Sequence, residues 1–161
     1  MERLQAVLQE KLTEVLDETF GSMAFLGVCE ASAADCATAG SLREAQLLVT
    51  EPVLMELHLA TSEALLRQMV ETLYNFDADQ IEEHLINDLL AEILNTLAGR
   101  LMTALLPEQQ TFALSLPELA SEEERLDDKP LFEAFYLADD EPVIVRLQAS
   151  GPQALLNLLQ P

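Results

Sequence analysis

The amino-acid sequence predicts an α+β fold, in which an antiparallel β-sheet is packed in two layers against long helices. Three observations predict it. Strand-like runs come in adjacent pairs, 46–50 with 54–61 and 131–138 with 143–149, each pair joined by a short polar break. Helical spacing of apolar residues precedes the first pair and returns between the two pairs. Strands that arrive as hairpins, rather than singly between helices, build antiparallel ladders, so the helices are expected to lie together as a separate layer.

Taken in order, Leu4, Val7, Leu8, Leu12, Val15, Leu16 and Phe20 recur at helical spacing. They predict a first helix over residues 2–20, with Gly21 as its C-terminal cap. Residues 25–30 form a short apolar run suited to a strand, and 31–41 are read as loop with at most a turn of helix. In the first hairpin Met55, Leu57 and Leu59 alternate with Glu56, His58 and Ala60, which predicts one dry face and one wet face. His58 is then a surface strand residue. Ser62 is the expected N-cap of a second helix carrying Leu65, Leu66, Met69, Val70 and Leu73, and Asp79 with Glu82 is the expected capping start of a long third helix.

After Pro107, alternation at Phe112, Leu114 and Leu116 predicts a strand that Pro117 ends. Residues 121–129 are a charged loop. The second hairpin turns at Asp139, Asp140, Glu141 and Pro142, and Gly151 with Pro152 opens a short last helix that buries Leu155, Leu156 and Leu159. The sequence contains no internal repeat, low-complexity tract or linker, and residues 1–161 are expected to form one domain.

Composition narrows the functional classes. With 8 Lys plus Arg against 29 Asp plus Glu, the net charge of −21 repels phosphate backbones and anionic lipid surfaces, so neither nucleic acid nor membrane is an expected partner. No apolar run approaches the roughly 20 residues of a membrane span, and the amphipathic, acid-containing start is unlike a signal peptide; a cytoplasmic location is expected. Cys29 and Cys36 are then expected as free thiols, and with His58 and His84 they lack zinc-ligand spacing. The carboxylates at 122–128 lack EF-hand spacing, so no metal site is expected. Glycine-rich phosphate loops, Gly-x-Ser-x-Gly elbows and His-Glu-x-x-His helices are absent as well.

The third helix carries the informative pattern. At 100° per residue, with Asp88 at zero, Glu92 falls near 40°, Asn95 near −20° and Gly99 near 20°. One strip therefore holds two carboxylates, a carboxamide and a position without a side chain. Ile86, Leu89, Leu90, Ile93, Leu94, Leu97, Ala98 and Leu101 fill the opposite arc, which predicts a mostly buried helix with one polar seam. On Glu92 and Asn95 alone, ordinary solubilising residues would explain the seam.

Asp88, Glu92 and Asn95 give Asp-x-x-x-Glu-x-x-Asn, and Pro117 follows Asn95 after 21 intervening residues. This pattern, carried by the segments AEILNTLAGRL and LSLP, resembles that of the chemotaxis phosphatase family of CheC and CheX; the interval before the proline is one residue shorter than the family's usual one. A single motif makes the chain more similar to CheX than to CheC-like chains with two. The resemblance implies a phosphatase that hydrolyses the aspartyl phosphate of a CheY-like response-regulator receiver domain, in chemotaxis or two-component signalling. It implies that Glu92 engages a lysine of the regulator while Asn95 enters its active site to position water, and Asp88 matches the position four before the glutamate. From the residues themselves, Gly99 leaves space for a partner's close approach in a supporting role, and Pro117, which ends a strand, is structural. The resemblance also implies a homodimer, no cofactor of the chain's own, and Mg²⁺ carried by the partner receiver. The competing reading is a non-catalytic CheX-like docking module that binds a receiver or another signalling protein.

Overall fold

A computed structural model describes residues 1–37, 40–120 and 129–159. The charged segment 121–128, with the carboxylates weighed for calcium, lies outside the described residues.

The chain begins with α1 (Glu2–Ala24), followed by β1 (Val28–Glu30) and a one-turn helix α2 (Ala33–Cys36). The first hairpin is β2 (Leu42–Glu51) and β3 (Met55–Ser62), leading into α3 (Glu63–Tyr74). Then come α4 (Glu83–Leu105), the short strands β4 (Ala113–Leu114) and β5 (Glu118–Leu119), the hairpin β6 (Phe132–Ala138) and β7 (Glu141–Ala149), and α5 (Pro152–Leu158). The described strands form one antiparallel sheet in the order β1-β6-β7-β3-β2-β4, with β5 also paired to β2. The α+β architecture is the one expected from paired strands.

Register puts the dry face together. Leu47, Leu57, Leu147 and Phe132 stand side by side across β2, β3, β7 and β6, and Ala45, Leu59, Val145 and Ala134 form the next row. Leu4, Leu8, Leu12, Leu16 and Phe20 of α1 and the apolar arc of α4 close over them in one continuous core. Tyr136 is fully buried, and its hydroxyl meets Thr13 Oγ1 at 3.0 Å and accepts from Gln9 Nε2 at 3.3 Å, tying α1 to β6.

Several local features match the sequence pattern. Ser62 Oγ accepts from Leu65 N–H at 3.1 Å as the α3 cap, and Gly151 with Pro152 starts α5. The β6–β7 hairpin turns on Asp139 and Asp140, both at positive φ (50° and 63°), the backbone that a two-residue turn between right-twisted strands requires.

Other boundaries differ. The first helix runs past Gly21 to Ala24 and is closed by Phe25 in the left-handed region, where Leu26 N–H donates to Phe20 O and Phe25 N–H to Gly21 O. The strand that follows is correspondingly shorter, starting at Val28. Asp79 does not start the long helix. It sits in a 3-10 turn, Ala78–Gln80, held by Asp77 N–H donating to Gln80 Oε1 at 2.8 Å, while the extended backbone at Ile81 and Glu82 delays α4 to Glu83 and packs Ile81 against the core.

The wet face is only partly wet. His58 is 1% exposed, contrary to its expected surface position, because Arg146 of β7 reaches across the central strand to Glu44 of β2. That bridge, at 3.0 Å, roofs β3 between His58 and Ala60, and α2 brings Cys36 onto Ala60 and Ile144. Alternation identifies the face of a strand, but a sheet's second face can still be covered by long side chains.

The expected absence of a repeat is corrected at the level of topology. Helix, short edge strand, hairpin and helix occur twice, as α1-β1-β2-β3-α3 and α4-β4-β6-β7-α5. Exchanging the two sets reverses the sheet order onto itself, since β1 borders β6 as β4 borders β2, and β7 meets β3 at the centre. Apart from a few positions on the two long helices the halves share packing rather than residues, so sequence self-comparison over the whole chain passes over them.

Candidate functional site

The seam on α4 is placed as its spacing predicts. All eight residues of the expected apolar arc are buried, at 2% exposure or less, and Asp88, Glu92 and Asn95 are exposed on the other side. Gly99 is half-buried at the end of the strip. None of Asp88, Glu92 or Asn95 has a side-chain hydrogen bond or ion pair among the described residues. Two carboxylates one turn apart repel each other by a few tenths of a kcal/mol, and among the described residues no cation is paired with either.

The helix under them is held at both ends. Before the strip, Arg43 of β2 donates to Asn87 Oδ1 at 2.7 Å and pairs with Glu63 of α3 at 3.1 Å and with Glu83 of α4. Arg67 joins the same group, at 2.9 Å from Glu63 and 3.5 Å from Glu83. The hydrogen bond from Arg67 holds the Glu63 carboxyl below its ordinary range, with Arg43 adding to the effect against partial burial. Burial pulls the Arg43 guanidinium down, but the Glu83 and Glu63 carboxylates outweigh it and leave its pKa raised. After the strip, Arg100 donates to Thr19 Oγ1 at 3.4 Å and Ser22 Oγ at 3.1 Å, fastening α4 to α1. Glu92 and Asn95 thus stand free on a helix that is fastened on either side of them.

Gly99 is not required by helix packing, because a Cβ there would meet nothing within 4 Å. Pro117 lies apart from the strip, in the link between β4 and β5. Ser115 N–H donates to Leu48 O and Ala120 N–H to Glu44 O on either side of it, so the residue without an N–H falls in the gap of the edge ladder. Among the described residues, no group of three or more His, Cys, Asp or Glu side chains is placed to hold a metal ion, and no helix is long and apolar enough to cross a membrane.

Sequence reasoning missed the residues that hold the helix, Arg43, Asn87 and Arg100, and it missed the counterpart of the strip on α1. Glu10, Glu14, Asp17 and Gly21 repeat the spacing of Asp88, Glu92, Asn95 and Gly99. Comparing the polar strips of the two long helices would have found it. The decisive difference is Asp17, a carboxylate where α4 has a carboxamide.

Fold and strip together define a class: a twice-repeated α+β domain that presents a carboxylate and a carboxamide on one fixed helix. Residues 49–136, more than half of the chain, match the family described as chemotaxis phosphatase CheX, and the chain belongs to that family. The structure is similar to that of chemotaxis protein CheX from Vibrio vulnificus, with a TM-score of 0.68 and 13% identity over 89% of this chain and 99% of that one. It is also similar to a chain of the CheX-CheY-BeF3-Mg complex from Borrelia burgdorferi, with a TM-score of 0.63 and 14% identity over 88% and 96%. The FliM middle domain from H. pylori shares the fold as well, with a TM-score of 0.59 and 9% identity over 99% of each chain. No curated protein sequence matches the chain.

Proposed function

We propose that this chain hydrolyses the aspartyl phosphate of a CheY-like receiver domain, in chemotaxis or another two-component pathway, with Asn95 as the catalytic residue and Glu92 as the anchor. The observation that carries the reading is the pair itself: Glu92 and Asn95 are exposed and unpartnered on a helix whose other face is buried and whose ends are fastened. Family membership supports it, and the relative from Borrelia burgdorferi was solved together with CheY.

An acyl phosphate is already activated, so catalysis needs placement more than a perturbed base. Water attacks phosphorus in line as the receiver's aspartate oxygen leaves. The Asn95 carboxamide oxygen accepts a hydrogen bond from that water while its NH₂ donates to a phosphoryl oxygen. Glu92, one turn earlier, forms a charge-assisted hydrogen bond with a lysine of the receiver. Asp88 extends the acidic strip, Gly99 leaves room for approach, and Mg²⁺ belongs to the receiver. The active unit is a homodimer of this domain.

The test is phosphate loss from phosphorylated receivers of the host, with and without the chain. Asn95→Ala should abolish the acceleration while leaving binding, and Glu92→Ala should weaken binding by about 2 kcal/mol or more. Tight binding by the unmodified chain without any rate change would instead establish the non-catalytic docking module.

A further inference from the structure

Where α1 and α4 meet, the surface opens into a groove of about 710 Å³ lined by Glu14, Glu18 and Gly21 of α1 and Gly99, Arg100 and Thr103 of α4. Its floor is bare because two glycines face it. A Cβ at either Gly21 or Gly99 would meet nothing within 4 Å, and neither glycine has positive φ. Packing and backbone geometry therefore require neither, although each costs its helix roughly 1 kcal/mol relative to alanine. The space they leave continues the strip, since Gly99 belongs to both.

Arg100 is the cation in this groove. Arg43, Arg67 and Arg146 are each paired with carboxylates, whereas Arg100 has no ion pair among the described residues in a chain of net charge −21. Two hydroxyls of α1 hold its guanidinium in place and use only part of its donor set. A fixed guanidinium with donors to spare suits a carboxylate brought by another molecule. Glu14 and Glu18 line the same groove and repel a bare anion, so a carboxylate bound here must come flanked by basic groups that meet them.

We infer that the groove receives a segment of the receiver that carries a carboxylate to Arg100, making Arg100 a specificity-determining residue. The inference rests on the proposed function, which supplies the partner. The groove starts at Gly99, one turn beyond Asn95 on the same strip, so a receiver docked on Glu92 and Asn95 stands at its edge.

The experiment measures phosphate release by the full chain against rising concentrations of a CheY-type receiver from the same host, charged with acetyl phosphate. Arg100→Gln should raise the half-saturating receiver concentration about tenfold with turnover within about twofold, and Arg100→Glu should raise it further. Arg100→Lys should recover most of the loss. Gly21→Leu, which fills the groove from the α1 side, should give a similar shift with an unchanged or raised melting temperature. If Arg100→Gln and Gly21→Leu both leave half-saturation within about twofold while Asn95→Ala abolishes turnover, the groove is unused and the phosphatase reading stands. An unmodified chain that accelerates none of the host's receivers overturns both.

Discussion

Asp17 Oδ1 accepts a hydrogen bond from the backbone N–H of Val28 at 3.0 Å, fastening the end of α1 to the start of β1. Asp17 occupies the place in the first half of the fold that Asn95 occupies in the second. Asn95 is free, and Asp17 is both charged and occupied. A carboxylate there would repel a phosphoryl group and cannot donate to it.

The α1 strip should therefore stay silent even when its chemistry is corrected. Asp17→Asn supplies the carboxamide but keeps an acceptor for Val28 N–H, so the side chain remains tied down. Combined with Asn95→Ala, it is expected to restore no receiver dephosphorylation. Recovery of more than about a tenth of the unmodified rate would show that the tie to Val28 is too weak to hold the group.

Gly99→Ala separates stability from function. A Cβ at Gly99 finds open space, so the substitution should stabilise the protein by about 1 kcal/mol, raising the melting temperature by ~3 °C. On the proposed function the same methyl group stands where the receiver approaches, so receiver binding should weaken about threefold or more. A stability gain with unchanged binding would remove Gly99 from the contact surface.

The buried arc of α4 was legible because a helix in contact with a core writes its period into the sequence, and Ile86 through Leu101 keep it without exception. The strip was legible for the same reason, as the gap in that arc. The groups that fasten α4 were not, since Arg43 and Asn87 are 44 positions apart and meet only after β2, α3 and α4 have assembled. His58 was misplaced because its burial depends on Arg146 and Glu44, two strands apart in space and 102 positions apart in sequence. Periodicity reports what one element does, and contacts of this range belong to the topology.

Arg43 should matter more to the fold than to the chemistry. Arg43→Ala removes one of the two cations that Glu63 and Glu83 share, leaving Arg67 alone with both, and a loss of about 1 kcal/mol is expected at pH 7, ~3 °C in melting temperature. The folded pKa of Glu63 is lowered, so its contribution is present above the ordinary glutamate range and is lost as pH falls through the lowered value. The difference between unmodified chain and variant should therefore shrink below about pH 4. Denaturation curves at pH 7 and pH 3 check this, and a gap that persists undiminished at pH 3 would mean that Arg43 acts through packing alone.

His58 and Arg146 should respond in opposite directions. Both ring nitrogens of His58 are buried without a hydrogen-bond partner among the described residues, and Glu56 Oε2 lies 3.9 Å from Nε2, beyond bonding distance. Replacing a buried group that makes no hydrogen bond with an apolar one of similar size removes a desolvation cost, so His58→Leu should stabilise by about 1 kcal/mol. Arg146→Ala removes the roof over the same residue and strips Glu44, 8% exposed, of its cation, so it should destabilise by about 2 kcal/mol. Thermal denaturation of the two variants distinguishes a residue that is merely covered from one that the fold needs. If His58→Leu loses stability while Arg146→Ala does not, the imidazole is bonded in solution and the bridge above it is ornamental.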